Sequence, residues 1–300
     1  MFLAVLSGIF NPRQTRKDFL MPLYQIIILA LVQGFAELLP VSSSAHVIVA
    51  EKLLGLNPTT PGMTLFLVLL HTGTMFSVII YFWSDWSKHY FQTSFKGIIF
   101  VKQVLLATLV TGVVGLGLKV IIEKVFMRGA EHAEVEMLFG NFKLISIALA
   151  CVGLLILWAA VRESESNYDV GLGSHESIWI GLVQGLCLPF RGFSRSGATI
   201  STGILLKLSK AKAEEFSFAL VVVLTPFVDL KEILRALKAH AAVPTGSSFA
   251  LFTPGLIGMV LSFGAGLLAL RWLSSWLSKG KWKFFGFYCL AFAGVVWLQR

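Results

Sequence analysis

Two serine-bearing turns hold most of the reactive side chains in this sequence. The first, QGFAELLPVSSSAH, runs from Gln33 to His46 and offers a carboxylate (Glu37), three successive hydroxyls (Ser42, Ser43, Ser44) and an imidazole (His46). The second, RGFSRSGAT, runs from Arg191 to Thr199. It offers two guanidiniums (Arg191, Arg195), three hydroxyls (Ser194, Ser196, Thr199) and backbone freedom at Gly192 and Gly197. A hydroxyl nucleophile, a carboxylate, a histidine and an arginine together can perform phosphoryl transfer. Arg195 suits bidentate contact with phosphate oxygens. Serines ahead of apolar stretches signal helix starts, whose free N–H groups form anion sites: Ser42–Ser44 would cap a helix near Ala45, and Ser196 or Gly197 would begin the next. A carboxylate beside phosphate repels it unless a divalent cation bridges the two. Glu37 therefore implies Mg²⁺ or Ca²⁺, or a proton-transfer role. Gln33, four residues earlier, lies on the same helix face as Glu37.

The elements that position these groups lie in an oily chain. Of 300 residues 56% are hydrophobic and only 14% charged, and the mean hydropathy is +0.79. A soluble domain needs more polar surface, so the chain is all-α and polytopic in a membrane. Apolar runs of near-spanning length recur at Leu65–Phe82, Val104–Ile122, Leu144–Val161, Phe249–Leu270 and Phe284–Leu298. The net charge of +9 sits largely in short loops, where phospholipid headgroups are the natural partners, so nucleic-acid binding is excluded. Cys151, Cys187 and Cys289 lie in apolar runs without metal-ligand spacing and read as packing residues.

The opening pattern returns in the second half. ILALVQGFAELLPVSSSAHVIVAEKLL and IWIGLVQGLCLPFRGFSRSGATISTGILL both place Val-Gln-Gly in an apolar helix, then a proline, a serine-rich turn and another short helix. Two halves, about 21–122 and 142–300, suggest an internal duplication. An odd number of full spans separates the copies, which predicts an inverted-topology repeat. Half-helices this short cannot cross the hydrocarbon, and polar turns survive at that depth only against protein or a water-filled cavity. Two re-entrant helix pairs, meeting near mid-membrane, are therefore expected within a single integral-membrane domain spanning 21–300. Residues 1–20 read as an interfacial extension or a start-site artefact.

The two blocks resemble the signature motifs of the undecaprenyl-diphosphatase (bacitracin-resistance) family, its Glu/Gln-x-x-x-Glu followed by Pro-Val-Ser-Ser and histidine, and its Pro-Gly-x-Ser-Arg-Ser-x-x-Thr. The likeness extends from about Met21 to the C-terminus and includes LLHTGTMFSVIIYFW and AEEFSFAL. It implies hydrolysis of undecaprenyl diphosphate, a lipid carrier of cell-wall synthesis, in the bacterial inner membrane, at a pocket open to the periplasm. It also implies roles. Glu37 and Gln33 organise metal and water, and Ser43, with Ser42 and Ser44 adjacent, is nucleophile or phosphate ligand. His46 is the general acid/base, Arg195 the diphosphate clamp, and Ser194, Ser196 and Thr199 are phosphate ligands. Ser42, His46 or a water remain open as nucleophile. The chain departs from the pattern at Gln33, where the family often has Glu, and at Arg191, where it has proline. Arg191 either adds charge to the diphosphate site beside Gly192 or only reshapes the turn.

Other polar residues are weaker candidates. His71 reads as a helix-packing residue, and Gly112, Gly115 and Gly117 as sites of close helix approach. Glu214 and Glu215 suit a helix start, and Asp229 a boundary position. The competing function is a transporter or flippase for an anionic lipid or small anion, because secondary transporters also build anion sites from broken helices. Reactive density argues for the enzyme. Association into a homodimer is left open.

Overall fold

A computed structural model of the chain describes residues 21–57, 61–126, 138, 140–163, 171–242 and 248–299. The expected N-terminal extension, 1–20, lies outside them. The described residues form ten α-helices and no strand. They are α1 (Leu23–Leu38), α2 (Ser43–Leu53), α3 (Pro61–His89), α4 (Ser94–Ile121), α5 (Phe142–Glu163), α6 (Ser174–Cys187), α7 (Arg195–Leu205), α8 (Lys210–Ala242), α9 (Ser248–Ser278) and α10 (Trp282–Leu298). A π-helical turn, Ile122–Phe126, continues α4.

Four helices are long and apolar enough to cross a membrane, over Gly62–His89, Ser94–Lys124, Phe142–Arg162 and Phe252–Ser278. They match four of the apolar runs in the sequence. The fifth run becomes α10, apolar but only 17 residues long. The two serine-rich blocks fold as short helix pairs, α1–α2 of 16 and 11 residues and α6–α7 of 14 and 11. Each of these helices is shorter than the roughly 20 residues a span requires.

The Val-Gln-Gly repeat has a physical cause. A Cβ on Gly34 would lie 2.5 Å from Ala265 Cβ and 2.8 Å from the Ser262 carbonyl, so glycine is what lets α1 close on α9. Gly185 does the same for α6 on α4, where a Cβ would lie 2.6 Å from Val114 Cβ. Lipid tails are as apolar as leucine, so helix association in a membrane rests on such close packing and on interhelical hydrogen bonds. Gln184 supplies one, donating to Thr111 Oγ1 at 3.0 Å. Among the described residues, of the three α4 glycines expected at close contacts only Gly115 is at one, against Leu188, and nothing described lies within 4 Å of a Cβ at Gly112 or Gly117.

The core runs between these layers, through Leu38, Val78, Ile156, Ile180, Ile200, Phe216 and Phe218. Cys187 and Cys289 are buried as expected, whereas Cys151 faces outward. Outward too are Leu105, Leu109, Val113 and Leu116, an apolar stripe along α4. Glu214 and Glu215 are not free at a helix start. Both are buried, accepting from Ser274 Oγ at 2.6 Å and pairing with His89 Nδ1 at 3.0 Å respectively.

Candidate active site

Both serine-rich turns end at a helix N-terminus, and they lie against each other. Ser42 occupies the N-cap position of α2 with φ 69° and makes no side-chain cap bond. A non-glycine residue at positive φ is strained, and such strain persists only where the surroundings over-determine it. The second helix begins at Arg195, earlier than the expected Ser196 or Gly197, because Ser194 is the cap: its Oγ accepts from the Gly197 N–H at 3.2 Å. Gly192, at φ 99°, is the residue whose missing Cβ lets this turn pass the Ile145 carbonyl of α5. Two cross-turn hydrogen bonds join the pieces: Ser196 Oγ donates to Leu39 O at 3.2 Å, and Gly192 N–H donates to Ser44 Oγ at 3.3 Å.

Glu37 sits where the turns meet. Its Oε1 accepts from Arg195 Nη2 at 3.2 Å. Its Oε2 accepts from Ser43 Oγ at 2.5 Å and from Gln33 Nε2 at 3.1 Å, and His71 Nε2 stands 3.5 Å away. The other terminal guanidinium nitrogen, Arg195 Nη1, is buried and has no hydrogen-bond partner among the described residues. An orphaned cationic donor at two helix N-termini is a demand for an anionic oxygen.

Other expected site residues are placed differently. His46 is turned away from Glu37: its Nδ1–H donates to Ser42 O at 2.8 Å and its Nε2 accepts from the Tyr288 hydroxyl at 2.7 Å. The ring stacks on Phe292 with centroids 4.0 Å apart. Among the described residues no hydrogen bond or ion pair links His46 to Glu37, Ser43 or Arg195. Thr199 Oγ1 donates to Arg195 O at 2.8 Å and meets Ser217 Oγ at 2.6 Å, which ties α7 to α8. Ser42 Oγ and Ser44 Oγ lie 3.2 Å apart. Arg191 lies within electrostatic reach of the buried Glu51 on α2.

His71, read from sequence as a packing residue, instead borders Glu37. The signal was available: an ionisable side chain inside an apolar helix is by default near a site. Tyr288 carried no such signal, because its partner His46 is 242 residues away.

Beside the turns lies an apolar cleft of about 480 Å³, lined by residues including Leu31, Phe35, Val41, Trp276, Phe284 and Tyr288. It also touches Ala36 and Leu39, which flank Glu37 and the Pro40 turn, and His46. Polar cluster and apolar cleft share the α1–α2 turn as a common wall.

The donor set can be tested against a divalent ion. Among the described residues no three His, Cys, Asp or Glu side chains gather into a metal-binding group. Magnesium, however, commonly takes one or two carboxylates together with substrate phosphates and water. Glu37, with the Gln33 side chain beside it, fits that sparse arrangement.

Comparison with known proteins agrees with this chemistry. The family model described as Bacitracin resistance protein BacA matches residues 26–295. The chain belongs to the BacA family. It is 56% identical to undecaprenyl-diphosphatase 2 of Acinetobacter baylyi, over 92% of this chain and 97% of that protein. It is 32% identical to an undecaprenyl-diphosphatase of Bacteroides fragilis, over 91% of this chain and 96% of the relative. A Christiangramia forsetii undecaprenyl-diphosphatase is 30% identical, over 90% and 95%. The relatives are thus matched over nearly their whole length, both turns included.

Proposed function

We propose that this membrane protein is an undecaprenyl-diphosphate phosphatase, releasing inorganic phosphate and undecaprenyl phosphate and so recycling a lipid carrier of cell-wall synthesis. The observation that carries the reading is the unpartnered Arg195 Nη1 beside the Glu37–Ser43 hydrogen bond, at the junction of two helix starts. The diphosphate binds there, with Arg195 and the N-terminal N–H groups of α2 and α7 on its oxygens and Ser194 and Ser196 close by. The lipid tail lies in the apolar cleft.

In this mechanism Ser43 Oγ attacks the terminal phosphorus while its proton passes to Glu37 Oε2, the atom it already touches. The bond from that phosphorus to the bridging oxygen breaks, and undecaprenyl phosphate leaves as the oxyanion. Water then hydrolyses the phosphoserine; direct attack by water is the shorter alternative. Arg195 stabilises charge growing on the equatorial and leaving oxygens. His46, held by Ser42 and Tyr288, supports the turn at the cleft's polar end, and a proton reaches it only by way of the substrate or water. A divalent ion, Mg²⁺ or Ca²⁺, would be held by Glu37 and Gln33 together with diphosphate oxygens, and supplies Lewis-acid charge neutralisation when bound.

The finer architecture belongs to the same proposal. The pairings of α1 with α9 and of α6 with α4 are related by exchanging the two halves, which supports an inverted repeat with α1–α2 and α6–α7 re-entrant. We place the protein in the bacterial inner membrane with the site facing the periplasm, and a homodimer contact, where one forms, on the apolar α4 stripe. A transporter accounts for an anion clamp and an apolar cleft, but has no use for a serine hydroxyl hydrogen-bonded to a carboxylate.

The test is phosphate release from undecaprenyl diphosphate by purified protein in detergent, beside Glu37→Ala, Ser43→Ala and Arg195→Ala. Turnover that collapses in folded variants supports the reading. Lipid-diphosphate binding without turnover in the wild type returns the transporter.

A further inference from the structure

We infer that His71 is a positioning residue of this site, holding the Glu37 carboxylate on the side opposite Arg195, with Asp229 anchoring the helical turn that carries it. The inference rests on the phosphatase reading and assigns a task to two residues outside both serine-rich turns.

The carboxylate of Glu37 has divided duties. Oε1 meets the guanidinium of Arg195, and Oε2 accepts the Ser43 hydroxyl. Rotation about the terminal carbon–carbon bond would exchange the two oxygens and move Oε2 off Ser43. Arg195 braces one oxygen from α7; the other takes Gln33 Nε2 at 3.1 Å from α1 itself, so a brace from a second helix must come from elsewhere. His71 Nε2, 3.5 Å from Oε2, stands there on α3.

The ring of His71 is itself fixed. Its Nδ1–H donates to Leu67 O at 2.8 Å, which turns the Nε2 edge toward Glu37; the bracing form is the doubly protonated ring, whose Nε2–H then faces Oε2. The side chain is 41% exposed, so hydrogen bonding rather than burial sets its orientation. Its own carbonyl accepts from Thr74 Oγ1 at 2.8 Å. The next residue, Thr72, places Oγ1 2.8 Å from Asp229 Oδ2 on α8. Asp229 is buried, and within electrostatic reach of both His71 and Glu37. An ionisable group buried in an apolar bundle is costly, and by default marks a functional site. Here side chains from α2, α3 and α7 converge on the carboxylate of α1, and α8 anchors the α3 turn.

The experiment compares His71→Gln with His71→Met. Both fill the space of the imidazole, so packing is kept; only glutamine presents an N–H to Glu37. Phosphate release gives kcat and KM, and binding of a non-hydrolysable undecaprenyl diphosphonate gives affinity apart from turnover. The expected result is a fall in kcat for His71→Met of about ten- to a hundredfold, the scale of a misplaced catalytic group. Affinity stays within a few-fold, and His71→Gln recovers most of the rate. Asp229→Leu, which removes the cross-helix acceptor of Thr72 and leaves it only Val68 O on its own helix, lowers kcat in the same direction. Equal kcat for the Gln and Met variants, or a folded Met variant at the wild-type rate, overturns the inference while leaving the phosphatase reading intact. An inactive wild type overturns that reading instead.

Discussion

Arg195 and Glu37 are 158 positions apart in sequence, and their side chains meet at 3.2 Å across the junction of two turns. The pair is largely enclosed, with side-chain exposures of 17% and 14%. Removing one partner of an enclosed pair strands the other charge. The two removals should therefore differ. Glu37→Gln keeps the clamp cationic, so in the presence of chelator, where neither protein carries a divalent ion, a non-hydrolysable substrate analogue binds at least as tightly as to wild type. Its turnover falls by about a hundredfold or more, the scale of a lost proton acceptor. Arg195→Lys keeps the charge but loses the planar fork, so affinity for the analogue drops by about tenfold. Analogue binding and phosphate release, measured on the same preparations, separate the two effects.

Divalent dependence follows from the sparse donor set. One carboxylate and an amide cannot hold Mg²⁺ or Ca²⁺ tightly without phosphate oxygens. Chelation should remove turnover from the wild type, and added Mg²⁺ or Ca²⁺ should restore it fully because no structural cage collapses. Thermal unfolding without substrate should hardly move when chelator is added. A large loss of stability on chelation would mean that an ion is held by the protein alone, against this account.

The sequence made the apolar helices readable because their length and composition act locally: α3, α4, α5 and α9 lie where apolar runs predict them. The serine-rich turns were readable for the opposite reason, since Glu37, Ser43 and Arg195 are polar groups that an apolar surrounding must justify. Placement across the fold was less legible. His46 has the right chemistry for proton transfer, yet its direction is set by Tyr288 on α10 and the Ser42 carbonyl, and no local pattern encodes that. Thr199 likewise points at Ser217 on α8. Arg191 stands near Glu51, whose burial depends on how α2 docks. Local period and composition place a residue on a helix; only tertiary packing decides which neighbour it faces.

The two Val-Gln-Gly segments should be intolerant of added volume. At Gly34 and Gly185 a Cβ would fall 2.5 Å and 2.6 Å from its nearest neighbours. Relieving either contact means separating helix backbones, at a cost of about 1–3 kcal/mol for overpacking. Gly34→Ala and Gly185→Ala should each lower the unfolding temperature in detergent. Gly117→Ala, where a Cβ meets none of the described residues within 4 Å, should be neutral or stabilising, because alanine is favoured over glycine in a helix by about 1 kcal/mol.

The cleft makes a separate prediction about substrate length. Leu31 lines it but lies six residues before Glu37 on α1, clear of the polar cluster. Leu31→Trp would narrow the cleft without touching Glu37, Ser43 or Arg195. A long polyprenyl tail would then lose apolar contact at about 0.8 kcal/mol per displaced methylene, and KM for undecaprenyl diphosphate should rise by about tenfold with kcat held. Farnesyl diphosphate, whose tail ends sooner, should show a smaller change. Parallel Michaelis curves for the two substrates decide the matter, since a tail running along another face would leave the Leu31→Trp variant equal to wild type on both.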